Sequence, residues 1–442
     1  MKLRAPDMAA QIVTAHPMWR NRAFLSLFVA QVISLLGSGV TTIGLTLFVY
    51  QLAGSATATI VIGQALMLRI AAFLIFSQPA GVLADSLNRK GLLIFADLGR
   101  FALLSLFPFI TATWQIYALI FAINALTAVF TPTFEATIPE IAGKENYVQA
   151  LSLSRVAVDV ESVASPVVAG LLVAWVGIRW VFWFDAATYL ISAAIVMTVV
   201  IPKAAIRSAA FSAWSVLSDI TTGTRILFRE AALRRAIVLS FAEAIAGAAA
   251  IVLTVTYVRS VLDRNEITFA AVMAAVGLGS SVTAICLGRW SRRYEHSARG
   301  EAELHGRRHV WTARSLLLGG CVLTAVLLPG VLAPPLWLFS LLWFGNGAGQ
   351  ALIAIPSSTL LAEHTTTAQR GRAYAAHFAI THACWLITYP AAGWAGAQWG
   401  PAQSFSVFGI ACMMVTLIAF FMKSGTLTPH RHALDLSGRQ VE

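Results

Sequence analysis

Long apolar segments recur along the whole chain, and they constrain its fold more than any other feature. Each is at least roughly 20 residues long, the length that a helix needs to cross a ~30 Å hydrocarbon core. Only 12% of the residues are charged and the mean hydropathy is +0.75, whereas soluble domains carry about 25% charged residues. We therefore predict an all-α polytopic membrane protein with twelve transmembrane helices, at about 23–52, 57–83, 91–111, 114–138, 148–175, 180–201, 235–259, 267–289, 311–329, 334–361, 371–396 and 402–422.

A more polar stretch separates these segments into two sets of six. Pro132 and Pro356 lie late in the fourth and tenth segments, and Pro166 and Pro390 lie within the fifth and eleventh; both pairs are 224 positions apart. This internal repeat favours two pseudo-symmetric six-helix bundles. The predicted organisation is an N-terminal tail, a first bundle, an amphipathic linker on the membrane surface, a second bundle and a C-terminal tail, at 1–22, 23–201, 202–234, 235–422 and 423–442.

The basic residues predict how the bundle is oriented. The chain has a net charge of +11, but its 31 Lys and Arg residues occur in short clusters between apolar segments and form no stripe that would fit a nucleic acid. One set of alternate loops carries only Arg179, Arg259 and Arg264, while the other set and both tails carry most of the rest. Loops rich in Lys and Arg stay in the cytoplasm. We therefore predict a protein of the cell inner membrane with both termini in the cytoplasm.

The four cysteines lie in or at the edges of apolar segments, and none forms a CxxC pair. The sequence thus predicts no disulfide framework, metal site or cofactor. A phosphate-binding Gly-rich loop followed by Lys-Ser/Thr is also absent from the sequence, as are GxSxG and HExxH elements. We therefore expect neither an ATP-driven pump nor an enzyme.

A short polar loop separates the second and third apolar segments. Gly81 and Asp85 end the second segment, and Arg89 and Lys90 precede the third. This Gly-x-x-x-Asp element followed by Arg-Lys resembles the signature of the major facilitator superfamily of secondary transporters. The resemblance implies that these four residues latch the inner side of the bundle and release it when the transporter turns inward. An alternative is a polar turn whose charges only orient the helices.

Further segments resemble the branch of the superfamily that contains the enterobactin exporter and macrolide efflux proteins. They are Asp97-Leu98-Gly99-Arg100, Leu151-Ser152-Leu153-Ser154-Arg155 and Gln369-Arg370-Gly371-Arg372-Ala373. Ser165, Pro166 and Gly170 also resemble a weakened form of the Gly-Pro-x-x-Gly-Gly element on the fifth helix of exporters in this family. Pro bends a helix, and small residues let helices approach each other closely.

Charged residues inside membrane spans are costly, so each is a candidate functional residue. Asp97, Arg100, Glu135 and Arg155 are predicted to form a charge network in the inner leaflet, acting as a structural gate or as a substrate site. Candidates for proton coupling are Glu243, Asp159 and Glu161, and Arg69 is a candidate for the central cavity, although Arg69 and Glu243 could also be structural. Asp185 is expected at the outer interface, and His377 and His382 as helix contacts or titrating groups.

Together these features predict a secondary active transporter that works by alternating access. The resemblance implies a proton-coupled exporter, an antiporter of a drug-like compound or siderophore, acting as a monomer in the lipid bilayer. One alternative is an importer of a small metabolite on the same fold. Another is a membrane protein that does not transport, such as a sensor or an embedded enzyme.

Overall fold

The structure is a computed structural model, and it describes residues 21–142, 147–201, 213–297 and 301–422. Within these ranges the chain forms helices and the turns that join them, and no strand is present. Most of the two predicted tails and the first part of the predicted linker lie outside the described residues. So do the side chains of Asp85, Arg155 and Asp159, while Gly81 is described only as part of its helix.

The described ranges contain twelve α-helices. They are α1 (Arg22–Ala53), α2 (Ala58–Ser86), α3 (Arg89–Leu104), α4 (Thr113–Ala142), α5 (Tyr147–Val176), α6 (Ile178–Thr198), α7 (Ala213–Arg229), α8 (Ala231–Thr256), α9 (Glu266–Ser297), α10 (Glu301–Leu327), α11 (Leu336–Glu363) and α12 (Thr367–Phe421).

The membrane crossings number twelve, although they do not correspond one to one with these helices. Ten stretches of the described chain are long and apolar enough to cross a bilayer, and α5 adds a shorter apolar stretch at Ala164–Val176. α12 counts once among the ten but bends at Gly400, so that a first arm, 367–399, and a second arm, 401–421, each cross. The linker helix α7 is not among the crossings. The predicted twelve-helix membrane fold is confirmed.

Proline and glycine explain where several helices end. α3 stops at Leu104, earlier than predicted, and a 3-10 turn at Phe107–Phe109 follows because Pro108 cannot continue an α-helix. Gly54, Gly177 and Gly400 have φ values of 75°, 87° and 78°, a region that is sterically costly for residues with a Cβ. Each forms a tight turn between consecutive crossings. Gly177 and Gly400 are 223 positions apart, which continues the internal repeat in three dimensions.

Successive crossings alternate in direction, which gives the bundle two faces. We call the end where α1 begins and the second arm of α12 finishes the terminal face, and the end with the three glycine turns the opposite face. Hydrogen bonds join neighbouring helix ends at both faces. At the terminal face, Asn21 Nδ2 donates to the Ile141 carbonyl at 2.8 Å. At the opposite face, the Tyr257 hydroxyl donates to the Gly330 carbonyl at 2.7 Å.

Each half has an aromatic core near the opposite face. In the first half, Phe107 and Phe182 stack with ring centroids 4.6 Å apart. In the second half, Phe339 and Trp343 are 4.0 Å apart, and Trp343 Nε1 donates to the Thr254 hydroxyl at 3.0 Å. These large buried rings make the glycine-turn end of each half rigid, because close-packed cores resist changes in shape.

The two halves meet along two symmetry-related helix pairs, α2 with the first arm of α12, and α5 with α9. A Cβ built on Gly63 would lie 2.5 Å from the Tyr389 carbonyl oxygen and 3.1 Å from the Gly393 Cα. A Cβ built on Gly170 would lie 2.6 Å from the Ala270 Cβ. Gly170 and Gly393 are 223 positions apart. Both close contacts lie in the part of the bundle nearer the opposite face.

Candidate functional site

The loop between α2 and α3 is fastened to other helices of the first half at the terminal face. Arg89 Nη1 donates to the Ala136 carbonyl at 2.9 Å and pairs with Glu140 at 2.6 Å, both at the end of α4. Lys90 Nζ donates to the Met197 and Val199 carbonyls, at 2.7 and 2.9 Å, where α6 ends. These two cations therefore hold the ends of α4 and α6 against the start of α3.

Glu140 is a partner that reasoning from the sequence missed. It is 51 positions from Arg89 along the chain, so no local pattern connects the two. The one available signal was its place just after Pro139, at the end of a predicted membrane segment.

Asp97 and Arg100 form a buried ion pair on α3, with exposures of 0% and 2%. The second carboxylate oxygen of Asp97 accepts a hydrogen bond from the Ser192 hydroxyl of α6 at 2.8 Å. The Arg100 guanidinium lies between two rings, 4.4 Å from the Phe130 centroid and 4.3 Å from the Tyr189 centroid. This cluster ties α3, α4 and α6 together. It belongs to the packed interior of the first half.

Two other members of the predicted inner-leaflet network do not join this cluster in the described structure. Glu135 is exposed and has no hydrogen bond or ion pair with any described residue. The side chain of Arg155 lies outside the described part of α5. The pairing that the structure does place together, Asp97 with Arg100, is the one that an i, i+3 spacing on a helix brings to one face.

The expectation that Asp185 is an interfacial residue is wrong. Asp185 lies on α6 and is only 1% exposed. A Cβ built on Gly37 of α1 would meet its carboxylate oxygen at 2.2 Å, and the Thr188 hydroxyl lies 3.1 Å from the same oxygen. The position of Asp185 near the end of its segment predicts a place at the membrane–water interface. In the structure Gly37 lets α1 approach closely enough to cover the carboxylate.

A second carboxylate lies against the same turn of α1. A Cβ built on Gly39 would meet the Glu161 carboxylate at 1.9 Å and the Ser165 hydroxyl at 2.3 Å. Ser165 Oγ is 3.3 Å from the Glu161 carboxylate and 3.2 Å from the Leu36 carbonyl. Gly37 and Gly39 thus let two acids from α6 and α5 approach the α1 backbone, from two sides.

Arg69 reaches the space between the halves from α2. Its Nη1 donates to the Thr42 hydroxyl of α1 at 3.2 Å, and Glu161, His382 and Tyr389 lie within electrostatic range of its charge. Arg69 is partly exposed although it lies about 16 Å along α2 from Ala58. A cation at this depth is costly unless it faces an aqueous cavity or an anion.

The first arm of α12 faces Arg69 with aromatic side chains. The His382 ring stacks on Phe378 at 3.7 Å and lies 6.2 Å from Phe73 of α2. Because His382 Nδ1 lies 2.9 Å from the Phe378 carbonyl, which can only accept, Nδ1 carries the hydrogen. Its Nε2 is then an acceptor in the neutral ring. His377, on the same arm, has a buried Nε2 without a hydrogen-bond partner.

Glu243 enters the same region from α8. It is partly exposed, about 18 Å along its helix from Ala231, and it makes no hydrogen bond or ion pair with the described residues. Cys384 of α12 lies within electrostatic range of its carboxylate. One turn further along, a Cβ built on Gly247 would meet the Trp385 ring at 2.1 Å. Glu243 therefore lies on the face of α8 that meets α12.

The remaining predicted site residues lie on α5. Ser165 and Pro166 lie within α5 and are buried in the bundle, and Gly170 forms the close contact with α9. The side chain of Asp159 lies outside the described residues. Among the residues that are described, no group of three or more His, Cys, Asp or Glu side chains is arranged to hold a metal ion.

Comparison with known proteins places this architecture in a family. The profile described as Major Facilitator Superfamily matches residues 27–300 and 302–440. An uncharacterised MFS-type transporter, YfiS of Bacillus subtilis, is 26% identical over 92% of this chain and 95% of its own length. Macrolide efflux protein A of Streptococcus pyogenes is 25% identical over 42% of this chain and 46% of its length. The enterobactin exporter EntS of Shigella boydii is 27% identical over 40% and 42%.

Solved structures share the fold at much lower identity. The nucleoside transporter NupG superposes with a TM-score of 0.70 at 14% identity, covering 92% of this chain and all of that one. Twelve crossings in two halves, a polar region between them and a family profile that matches most of the sequence lead to one conclusion. The chain belongs to the major facilitator superfamily of membrane transporters.

Proposed function

We propose that this protein exports a small organic molecule in exchange for protons, by alternating access. Membership of the superfamily supports transport, and the names of two relatives, a macrolide efflux protein and an enterobactin exporter, support export of an organic compound. The proposed transporting unit is the monomer in the inner membrane.

The observation that carries this proposal is a set of charged side chains near the middle of membrane-crossing helices. Arg69, Glu161 and Glu243 are all partly exposed. Arg69 lies within electrostatic range of Glu161 in its own half and of His382 and Tyr389 in the other half, and Glu243 lies on the face of α8 that meets α12. Ionisable groups at this depth mark substrate or proton pathways in transporters. A carboxylate that binds a proton in one state and releases it in the other couples transport to the proton gradient.

The proposed roles follow from the surroundings of each acid. Glu243 has no partner among the described residues, so its charge changes with no ion pair to break. Glu161 is held by Ser165 and lies in the field of Arg69, so its protonation changes how strongly Arg69 attracts a substrate. Asp159 is the third candidate on the same helix as Glu161.

The same proposal places the terminal face of the bundle on the cytoplasmic side of the membrane. The abundance of Lys and Arg at the terminal face supports a cytoplasmic location for it. Because the close contacts between halves lie nearer the opposite face, the site would be open to the cytoplasm in this conformation. Arg89 and Lys90 would belong to the gate, since they hold helix ends of the first half together at that face.

Everted membrane vesicles test the proposal directly, because export then becomes uptake into the vesicle. With a radiolabelled macrolide and enterobactin as probes, we expect accumulation that needs a pH gradient and collapses with a protonophore. Glu243→Gln, Glu161→Gln and Asp159→Asn should each be tested for loss of uphill transport with retained downhill exchange. Glu230→Gln is the matched control, because Glu230 is exposed at the start of the same helix as Glu243.

Retention of gradient-driven uptake by all three variants would contradict proton coupling through these acids. Gradient-driven uptake into right-side-out vesicles, instead of everted ones, would identify an importer on the same fold. Accumulation of neither probe under any gradient would contradict the proposed range of substrates.

A further inference from the structure

The buried core of the first half holds more negative than positive charge. Between α1, α3, α4 and α6, the charged side chains of the described residues are Asp97, Asp185 and Arg100, exposed by 0%, 1% and 2%. Arg100 contacts Asp97 directly, and Asp185 lies only within electrostatic range of it. If both carboxylates are ionised, one negative charge remains without a counter-ion. Such a charge costs several kcal/mol in the interior of a protein.

The neighbours of Asp185 do not satisfy its carboxylate. The Thr188 hydroxyl has one hydrogen, and its shorter contact, 2.7 Å, is with the Asp185 backbone carbonyl; the carboxylate is 3.1 Å away. The Thr41 hydroxyl of α1 is also within reach of the carboxylate, but the two groups are not aligned for a hydrogen bond of good geometry, and the buried Thr41 oxygen has no other partner. An unpaired buried oxygen beside an underbonded carboxylate is an unusual combination, because nearly all buried polar atoms have partners.

The carboxylate and the two hydroxyls are the ligand types that a small cation prefers. A carboxylate and two hydroxyls are hard oxygen ligands, which suit alkali and alkaline-earth cations as well as protons. The surplus is a single charge, so a monovalent cation neutralises the cluster. No other titratable side chain of the described elements that pack here faces Asp185, apart from Arg100 and Tyr189.

The Asp185 cluster lies one turn of α1 away from Glu161. The Gly37-Ser38-Gly39 turn of α1 has Asp185 against Gly37 and Glu161 against Gly39. The Ser38 hydroxyl between them lies 2.8 Å from the Tyr189 hydroxyl, whose ring covers Arg100. One turn of α1 therefore separates the buried acid from an acid of the proposed transport site.

We propose that Asp185, with the hydroxyls of Thr188 and Thr41, binds a monovalent cation, either a proton or Na⁺. In the proton case, an O–H bond forms on the carboxylate and donates to the Thr41 oxygen. In the sodium case, the carboxylate stays ionised and the three side chains coordinate the ion. The site follows from the charge of the cluster; only a role in coupling rests on the proposed function.

Infrared difference spectroscopy of the purified full-length protein tests the site without any transport assay. Spectra are recorded near neutral pH, in NaCl and in choline chloride, for the wild type and Asp185→Asn. For a proton, we expect the C=O band of one protonated carboxylic acid in both salts, absent from the variant. For Na⁺, we expect that band in choline chloride only, with its loss on addition of NaCl, and no Na⁺-induced change in the variant.

Asp97→Asn provides an independent variant, and it covers the case in which Asp185→Asn fails to fold. Without Asp97, Arg100 and Asp185 balance each other, so the same band and any Na⁺ response should disappear although Asp185 is present. Ser192→Ala removes only a hydrogen bond to Asp97 and should keep the signal. Identical wild-type and Asp185→Asn spectra in both salts, or a band that persists in Asp97→Asn, would overturn the proposal.

Failure here and failure of the proposed function are distinguishable. An Asp185 signal without gradient-driven uptake would support the cation site and contradict the proposed export. Gradient-driven uptake without an Asp185 signal would support the proposed export and contradict the cation site.

Discussion

Gly63→Val tests whether the contact between α2 and α12 holds the opposite face closed. The Gly63 Cα faces the backbone of the first arm of α12, so a side chain there has no flexible neighbour to displace. Its Cβ would lie 2.5 Å from the Tyr389 carbonyl oxygen and 3.1 Å from the Gly393 Cα. Both obstacles are backbone atoms, which yield only if one helix moves away from the other.

The displacement and its energy can be worked out from these distances. Close carbon–oxygen contacts are about 3.3–3.6 Å long, so even the first methyl group requires the two helices to separate by about 1 Å. Overpacking of a close contact costs about 1–3 kcal/mol. Because the strain exists only in the closed state, it shifts the equilibrium toward the open state by about 5- to 150-fold.

Spin labels at Ser55 and Gln398 would measure the shift. Both positions are exposed near the opposite face, on the α2 and α12 sides of the contact, and the four native cysteines would first be replaced. We expect pulsed-EPR distances of Gly63→Val to gain a longer population. Gly288→Ala is the control, because a Cβ there meets no atom within 4 Å. A folded Gly63→Val protein with the wild-type distance distribution would refute the reasoning.

Three further substitutions test other contacts. Gly400→Ala puts a Cβ at φ 78° and ψ 161°, a backbone region that is essentially restricted to glycine and costs other residues about 1–3 kcal/mol. The thermal unfolding midpoint in detergent should therefore fall, and an unchanged midpoint would contradict strain at this turn. Trp343→Phe removes the 3.0 Å hydrogen bond to Thr254 together with part of a fully buried ring. Its loss of stability in the same assay should therefore be about 1 kcal/mol larger in the wild-type background than in a Thr254→Val background, and an equal loss in both would contradict a contribution from the hydrogen bond. Gly39→Ala puts a Cβ 1.9 Å from the Glu161 carboxylate, so gradient-driven uptake should be lost from a folded protein, and full uptake would exclude a need for this contact.

Local spacing predicted the charged pair of the first half but not its surroundings. Asp97 and Arg100 are three residues apart, so one helical turn brings them together wherever the helix lies. Ser192, which donates a hydrogen bond to Asp97, is 95 positions away, and no periodicity connects it to α3. Glu135 is predicted in the same network because it also lies toward the inner end of its segment. In the structure it is exposed and apart from this pair, because position along a helix leaves the direction around the helix axis undefined.

The number, length and order of the crossings could be read from the residues alone. The reason is the solvent. Lipid offers no hydrogen bonds, so each crossing must be an apolar helix of sufficient length. Such a helix is visible as one continuous apolar segment of the sequence. The motif from Gly81 to Lys90 and the offset of 224 positions between prolines can also be read from the sequence alone.

Contacts between helices needed the tertiary structure. Asp185 changed from an interfacial residue to a buried one because Gly37, 148 positions away, leaves room for its carboxylate. Glu161 and Asp185 became neighbours of one turn of α1 for the same reason. Which side chains meet depends on how each helix is rotated about its axis and on how closely two helices approach. When almost every face of a helix is apolar, the pattern of apolar residues specifies neither the rotation nor the distance.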